Sequence, residues 1–261
     1  MKKKFLTFCI SVVFIFPVSN FAFALEGIPS ASVAEKFSTS NVDKNKFECE
    51  VNCCFSIGQT CRPAYHIQRL GKRFQSSPLD WMRDYSLDTT IHLFKTKFSD
   101  FFEEIKELEP WPGERRGRQV KDIKNNIISI HHFLFENPLN SEEHQKIRKM
   151  MLNRANKVDN ILNQSDAIAL VYGQEGKDSF MPSNDKLIEF LKDFAKIYPG
   201  KNIHLIVVRN SEVEGIQKRV TFEENNLKII EFTFSDIGID WTGNHTAWDE
   251  VINNIKLVRK Q

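Results

Sequence analysis

Residues 166–172 have the sequence DAIALVY, a short and almost wholly apolar run of the kind that forms a buried strand. A similar run, NIHLIVV, occupies residues 202–208. Between them, Ser183 can cap a helix that Pro199 and the glycine after it end. Apolar strands separated by capped helices are typical of parallel βαβ crossovers. The sequence therefore predicts an α/β fold, a three-layer sandwich around a mostly parallel central sheet.

The same alternation continues on both sides of this unit. We predict a strand over residues 47–57, a short helix over residues 63–71, and a longer helix over residues 86–108. Residues 111–121 are rich in proline, glycine and basic side chains, which predicts a solvated loop. The remaining predicted elements are strands at 126–133 and 227–234, a helix starting at Ser141, and a closing helix at 245–260.

The first 24 residues show the three-part pattern of a secretory signal peptide. Three lysines follow the initial methionine, an apolar run occupies residues 5–16, and small residues precede a cleavage site. An uncleaved membrane anchor is disfavoured, because this run is short for a hydrocarbon layer of about 30 Å. We expect a secreted or periplasmic protein with no stable membrane insertion. A polar linker or arm at residues 25–46 should precede a single α/β domain at residues 47–261.

Charge and motif content exclude several function classes. The chain has 261 residues with 36 basic and 34 acidic side chains, and removal of the leader leaves 33 against 34. This balance argues against a nucleic-acid partner, which would need a positive field. The sequence has no Gly-x-Gly-x-x-Gly, Walker lysine or Gly-x-Ser-x-Gly motif, and no spaced Cys and His pairs for zinc. We therefore expect no cofactor and no metal.

Residues 53–64, CCFSIGQTCRPA, concentrate the chemistry at one predicted strand-to-helix turn. Cys61 lies within a residue or two of the first helical position, where unsatisfied N–H groups and the helix dipole favour a thiolate. A cysteine in that place is a candidate nucleophile, and the same N–H groups can hold an oxyanion. Gly58 would let the backbone approach a substrate closely.

A disulfide framework is the competing interpretation of this segment. Cys49, Cys53, Cys54 and Cys61 lie within thirteen residues, and an even set in an oxidising compartment often forms bridges. Strand alternation places Cys49 and Cys53 on one face and Cys54 on the other, so bridges within a single strand would be strained. If Cys61 is reduced, an odd number remains. The sequence leaves the pairing open.

Two adjacent histidines are the best candidates for a base. His131 and His132 end a predicted strand, which is where α/β sheets present functional side chains. Alternation sends the two rings to opposite faces, so at most one should face Cys61. Asp80 is the first choice for an orienting carboxylate, although a turn residue that binds nearby N–H groups is equally compatible with its position. The weaker alternatives are Asp166, Asp236 and Asp240.

Several blocks of the chain together resemble a known family. They are Ser56-Ile57-Gly58 with Cys61 and Pro63-Ala64, Gly71-Lys72-Arg73, Ser77-Pro78-Leu79-Asp80-Trp81, Phe98-Ser99-Asp100-Phe101-Phe102, His131-His132-Phe133, and Trp241 and Gly243 with Trp248. This pattern is similar to that of the bacterial domain of unknown function 1796, a family of putative papain-like cysteine peptidases. The match is dense over residues 52–102 and sparse beyond them.

The resemblance implies a thiol hydrolase or acyltransferase that acts on a peptide or other acyl substrate. Cys61 would be its nucleophile and His131 its base, and a papain-like α+β fold becomes the alternative to the sandwich. Two positions depart from the family pattern. Leu79 replaces a phenylalanine, and His132 replaces an aspartate that can orient the base.

These observations predict a site and leave two further functions open. The predicted catalytic residues are Cys61, His131 and Asp80, and the predicted substrate contacts are Gly58, Arg73, Trp81 and His132. The first alternative is a non-catalytic or glycan- or nucleotide-sugar-handling α/β module, with Arg73, Asp80 and Trp81 as a polar–aromatic pocket. The second is a disulfide-stapled interaction domain.

Overall fold

The computed structural model describes residues 48–110, 117–174, 181–238 and 240–258. The predicted signal peptide and the predicted arm at residues 25–46 lie outside the described residues. The strands are β1 (Cys49–Val51), β2 (Cys53–Gly58), β3 (Met82–Arg83), β4 (Ile105–Glu107), β5 (Val120–Asp122), β6 (Ile127–Ser129), β7 (Ala167–Gly173), β8 (Asn202–Asn210), β9 (Gln217–Glu224), β10 (Leu227–Phe234) and β11 (Ile255–Leu257). The helices are α1 (Arg62–Arg69), α2 (Leu87–Lys95), α3 (Ser141–Gln164), α4 (Asn184–Ile197) and α5 (His245–Asn253).

The central sheet has the strand order β2-β7-β8-β10-β9. Its first four strands pair in parallel, and β9 closes one edge in the antiparallel direction. The predicted α/β class and the mostly parallel sheet are confirmed. The sequence does not predict the antiparallel β9, because most of its residues are polar and it contains no apolar run.

Helices cover both faces of this sheet. One face packs against α2, α3 and α4, and the other packs against α1 and α5. Strand β7 shows how this arises, because Ile168, Leu170 and Tyr172 enter the first core while Ala169 and Val171 enter the second. Side chains alternate across a strand, so a fully apolar strand requires two covered faces. These are the three layers that the sequence predicts.

A second, four-stranded antiparallel sheet has the order β3-β6-β5-β4. It corrects two expectations. The predicted strand at residues 126–133 is only the three-residue β6 and does not belong to the central sheet. The predicted loop at 111–121 contains β5 at its end, while residues 111–116 lie outside the described ranges. Buried Asp122 fixes this sheet by accepting hydrogen bonds from the backbone N–H of Phe102 at 2.7 Å and of Asn125 at 3.1 Å.

The helix predicted over residues 86–108 ends much earlier, at Lys95. Ser86 caps its start as predicted, accepting from the Thr89 N–H at 3.0 Å. At the other end Lys97 adopts φ 51°, and the Phe98 N–H donates to the Leu93 carbonyl at 2.8 Å, which is the 6→1 bond of a Schellman motif. Phe98, Phe101 and Phe102, which follow this helix, are buried although they lie in turns. Their helical spacing therefore reflects packing against the core and not a continued helix.

The predicted strand at residues 47–57 is divided in two at Asn52. Its side-chain Oδ1 accepts from the N–H groups of Asp166 at 2.8 Å and of Ala167 at 2.9 Å, so β1 turns away to pair with β11. This break overturns the expected alternation of the cysteines. Cys49 lies in the same core as Cys54, and Cys53 lies in the other.

All four cysteines of this segment are thiols, so the structure does not support a disulfide framework. Burial raises the pKa of Cys49 to about 12 and the pKa of Cys53 to about 11, and it raises that of Cys54 as well. These three side chains are 0–2% exposed. They behave as small apolar core residues.

Helix α3 begins at Ser141, as predicted, and Asn140 caps it by accepting from the Glu143 N–H at 3.0 Å. The closing helix ends at Asn253 instead of continuing to residue 260. None of the helices within the described ranges combines the length and apolar character needed to cross a membrane.

Candidate active site

Cys61 is the N-cap residue of α1, three residues after the end of β2. Its side chain makes no capping hydrogen bond, its carbonyl accepts from the Tyr65 N–H at 3.0 Å, and the residue is half-buried. The thiol therefore lies at the positive end of a helix and at the carboxyl edge of a parallel sheet, where α/β folds place functional groups.

The helix start offers fewer oxyanion donors than its position alone suggests. Pro63 has no N–H, and the Arg62 N–H donates to Thr60 Oγ1 at 3.3 Å. The Tyr65 N–H is engaged by the Cys61 carbonyl at 3.0 Å, and the Gln59 N–H is engaged by the Gly173 carbonyl at 3.3 Å. The helix N-terminus therefore offers Cys61 a favourable electrostatic field, but few backbone N–H groups that could bind an oxyanion.

Two tyrosines enclose the turn that leads to Cys61. Gly58 has φ 147°, and a Cβ on it would lie 3.2 Å from Tyr172 Cε2, so a side chain there would push against the tyrosine ring. The Gln59 side chain donates to the Tyr172 hydroxyl at 3.0 Å. The charge of Cys61 contributes to the raised pKa of buried Tyr85, whose largest cause is burial. Gly58 thus serves packing of the turn, and its predicted contact with substrate stays a prediction.

A group of four rings, the aromatic rim, lines the surface beside this turn. It comprises Tyr65, Trp81, His131 and Trp241. Trp81 contacts the His131 ring edge-on with centroids 5.7 Å apart, and contacts Trp241 at 6.4 Å. Trp241 in turn contacts Tyr65, one helical turn after Cys61, at 5.2 Å. A series of ring contacts therefore connects His131 to Tyr65 of α1.

The rim is held in place by backbone geometry and by Arg62. Trp81 adopts φ 64°, a left-handed conformation that costs a bulky residue roughly 1 kcal/mol or more. Arg62 Nε donates to the Trp241 carbonyl at 2.8 Å, while its Nη1 binds buried Asp236 at 2.6 Å. The residue next to Cys61 thus anchors the far side of the rim.

The predicted residues Arg73, Asp80 and His132 form a separate group with Arg154, the charged cluster, in which Asp80 is buried and the other three are half-buried. Asp80 is 4% exposed and accepts from the Ser77 N–H at 3.0 Å, with Arg73 Nε at 3.5 Å. Burial raises the pKa of Asp80 to about 6, although the Arg73 charge and the Ser77 N–H oppose that shift. Binding of a nearby backbone N–H is what the turn-residue interpretation of Asp80 predicts.

His132 is saturated by protein partners. Its Nε2 lies 3.1 Å from Arg154 Nη1, and its Nδ1 lies 2.9 Å from Ser129 Oγ. An arginine can only donate, so Nε2 accepts and Nδ1 carries the proton. Burial and the Arg154 charge lower the pKa of His132 to about 3, which keeps the ring neutral. A substrate would have to displace one of these partners to bind the ring.

The structure therefore groups Trp81 and His131 in the aromatic rim, whose Tyr65 lies one helical turn after Cys61, and it groups Arg73, Asp80 and His132 with Arg154. Arg73 lines a hollow of about 350 Å³ whose wall contains neither Asp80 nor Trp81. The three residues of the predicted polar–aromatic pocket are thus not united in that hollow. Their roles stay predictions.

The alternative carboxylates have structural partners. Asp236 binds Arg62 and accepts from Trp248 Nε1 at 3.1 Å, which joins α1 to α5. Asp240 accepts from the Thr242 N–H at 2.8 Å. Asp166 stands before β7, at the edge of the sheet opposite to Cys61.

Sequence reasoning missed Tyr65, Arg154 and the second pair of histidines. Tyr65 follows Cys61 by four residues, a spacing that places both on one helix face and gave a usable signal. Arg154 gave none, because it is one of many charges on α3. His66 stacks on Trp248 at 4.8 Å, and burial lowers its pKa to about 4, so it is a core residue. His245 is exposed and lies 2.7 Å from Thr242 Oγ1.

Across the described ranges, no group of three or more His, Cys, Asp or Glu side chains is arranged to hold a metal ion.

Comparison with known proteins places this arrangement in context. Residues 52–223 match the model of the family described as Putative papain-like cysteine peptidase (DUF1796), a range that contains every predicted site residue. An uncharacterized protein of Acanthamoeba polyphaga mimivirus is 39% identical over 54 residues, which are 21% of this chain and 24% of that protein. The chain thus aligns with about a quarter of that relative's length. No solved structure matches. The bacterial character expected from the resemblance stays a prediction.

Proposed function

The chain belongs to the family described as Putative papain-like cysteine peptidase (DUF1796), and from this we propose that it is a thiol hydrolase acting on a peptide or related acyl bond. Cys61 is the proposed nucleophile and His131 the proposed general base. The observation that carries the proposal is the half-buried thiol at the N-cap of α1, directly after a strand of the central sheet.

Electrostatics distinguish this thiol from the other three. A helix N-terminus carries about half a positive charge, which stabilises a thiolate. Cys49, Cys53 and Cys54 are buried and their pKa values are raised by that burial, so they stay protonated. The same burial protects them from oxidants.

The proposed reaction has two steps. His131 accepts the Cys61 proton while the sulfur bonds to the acyl carbon, and the bond to the leaving group then breaks as that group takes the proton from His131. This leaves a thioester. Water then attacks it, His131 accepts a proton from the water, and the released sulfur regains a proton. An amine in place of water would make the protein an acyltransferase.

The rim supplies a binding surface for the substrate. Trp241 is 50% exposed and Trp81 is half-buried, so both rings present apolar area beside the thiol. Neither ring carries a charge, and aromatic side chains contribute most of the affinity in many peptide interfaces. The proposed substrate is therefore an acyl group or peptide with apolar side chains near the bond to be cleaved.

Alkylation of the native protein tests the nucleophile. Iodoacetamide at pH 7.5 should modify Cys61, whereas Cys49, Cys53 and Cys54 should react only after denaturation, as mapped by mass spectrometry. Cys61→Ala should abolish both the labelling and the hydrolysis of acyl substrates, and Cys53→Ala is the matched control that should retain both. Equal labelling of a buried cysteine, or hydrolysis that survives in Cys61→Ala, would refute the proposal.

Export is a separate proposal that rests on the leader at residues 1–24. The full-length chain expressed with its leader should be recovered outside the cytoplasm with Leu25 as its first residue. N-terminal sequencing of that material decides the matter, and an intact initial methionine would contradict export by this route.

A further inference from the structure

A hollow of about 410 Å³ lies on the surface between α3 and the segment at residues 75–76. Its wall contains four cationic residues and no acidic one. The residues that carry its charge and polarity are Gln75, Ser76, Lys146, Lys149, Asn153, Arg154 and Lys157. This volume is within the range of small-molecule sites.

The positive charge of this hollow is poorly balanced. Among the described residues Lys149 and Lys157 have no carboxylate partner within 4 Å, whereas Lys146 binds Glu143 at 3.1 Å. Arg154 donates to the neutral His132 at 3.1 Å, and the nearby Asp80 charge is shared between Arg154 and Arg73. The surplus cations therefore face solvent within a concave surface.

The spacing of the four cationic residues along α3 determines how the positive charge is distributed over the hollow. Residues 146, 149, 154 and 157 recur at three- to five-residue intervals and so occupy one side of α3. The first and last are eleven residues apart, a distance of about 16 Å along the helix axis. Cations three residues apart on a helix repel each other, which costs stability. One phosphate group cannot contact all four of them.

We propose that this hollow, defined by Gln75, Ser76, Lys146, Lys149, Arg154 and Lys157, binds a soluble small molecule that carries several phosphate groups. The arginine fork and the lysine ammonium groups are the donors that phosphate oxygens prefer, and the Asn153 and Gln75 amides add neutral donors. None of the residues in its wall belongs to the Cys61 turn or the aromatic rim, and Arg154 connects the hollow to His132 of the charged cluster.

Calorimetric titration of the full-length protein with inorganic tripolyphosphate tests the proposal. The wild-type protein should bind one equivalent, and orthophosphate at equal ionic strength should bind at least about tenfold more weakly, since it reaches fewer cations. The double variant Lys149→Gln/Lys157→Gln should weaken tripolyphosphate binding about tenfold. Both lysines are exposed, so their removal should leave the fold intact.

A matched control removes the same charge elsewhere. Lys106 and Lys121 face each other across β4 and β5 and are not part of the hollow. Lys106→Gln/Lys121→Gln should change the affinity less than about twofold, because neither lysine lines the hollow and salt screens charges that do not contact the ligand. Cys61→Ala should bind as the wild type does, whether or not the proposed hydrolase activity exists.

Three results would overturn the proposal. The first is no measurable binding of tripolyphosphate by the wild-type protein. The second is an equal loss in the two double variants, which would indicate general charge attraction. The third is binding of hexaglutamate as tightly as tripolyphosphate, which would assign the hollow to acidic peptides.

Discussion

The aromatic rim and the charged cluster hold their polar groups in opposite ways. In the rim, His131 and Trp241 are exposed and meet their neighbours through ring edges. In the cluster, Asp80 is 4% exposed and both nitrogens of His132 have protein partners. A group whose hydrogen-bonding capacity is already filled stabilises and positions, whereas reactions need groups that substrate and water can reach.

Substitution of the two adjacent histidines, one in the rim and one in the cluster, should give the largest difference between the two regions. His131→Ala should lower kcat about 10²–10⁴-fold, because a general base is lost, and it should lower the free energy of unfolding less than His132→Ala does, because the His131 side chain is exposed. His132→Ala should do the reverse. It leaves Arg154 and Ser129 without a partner and should lower the free energy of unfolding by about 1–3 kcal/mol.

Kinetics on an acyl substrate and urea denaturation of both variants provide the two readouts. His245→Ala is the matched control, since His245 is also exposed and contacts Tyr65 with ring centroids 5.9 Å apart. Loss of turnover in His245→Ala with retention in His131→Ala would transfer the role of base to the second histidine pair.

The next largest effect is expected at Asp80, as a dependence of the free energy of unfolding on pH. Its pKa of about 6 in the folded protein exceeds the ordinary 3.8, so the folded state binds more protons between these values. Wild-type stability from this group is therefore lost as pH rises from about 4 to 6, by at most about 3 kcal/mol. Asp80→Asn removes that dependence.

The measurement is urea denaturation of both proteins at several pH values. The free energy of unfolding of Asp80→Asn, relative to wild type, should rise between pH 4 and pH 6. Parallel profiles would show that folding leaves the pKa of Asp80 unchanged, so that its burial does not favour the protonated carboxyl.

The smallest effect is expected at Trp241, which is 50% exposed. Trp241→Ala should raise KM several-fold by removing apolar area from the rim, with kcat little changed. Because the ring is half in solvent, the free energy of unfolding should fall by less than about 1 kcal/mol. A large loss of stability would mean that the rim is a structural element like the cluster.

The parts of the fold that were predicted correctly are governed by local physics. The strands β7, β8 and β10 are apolar runs, and Ser86 and Ser183 cap their helices through hydrogen bonds to N–H groups three residues away. The position of Cys61 follows in the same way, because a strand, a glycine turn and Pro63 lie within twelve residues. Parallel pairing then follows from the strand–helix alternation.

The predictions were wrong where contacts between residues far apart in the sequence determine the local structure. Asn52 divides a strand because it binds backbone more than 110 residues away, at Asp166 and Ala167. Residues 98–102 repeat at helical spacing, but their rings pack into the core of a turn. His131 and His132 follow a strand of the small sheet, which no periodicity distinguishes from a strand of the central one.

The sequence by itself determined the α/β class, the capped helices and the placement of one cysteine at a helix start, because hydrophobic period and capping act over a few residues. Only the tertiary structure decided which histidine is exposed and which is saturated, since Arg154 reaches His132 from another element. Burial likewise sets the pKa of Asp80 and of the three core thiols, and burial is a property of the whole packed chain.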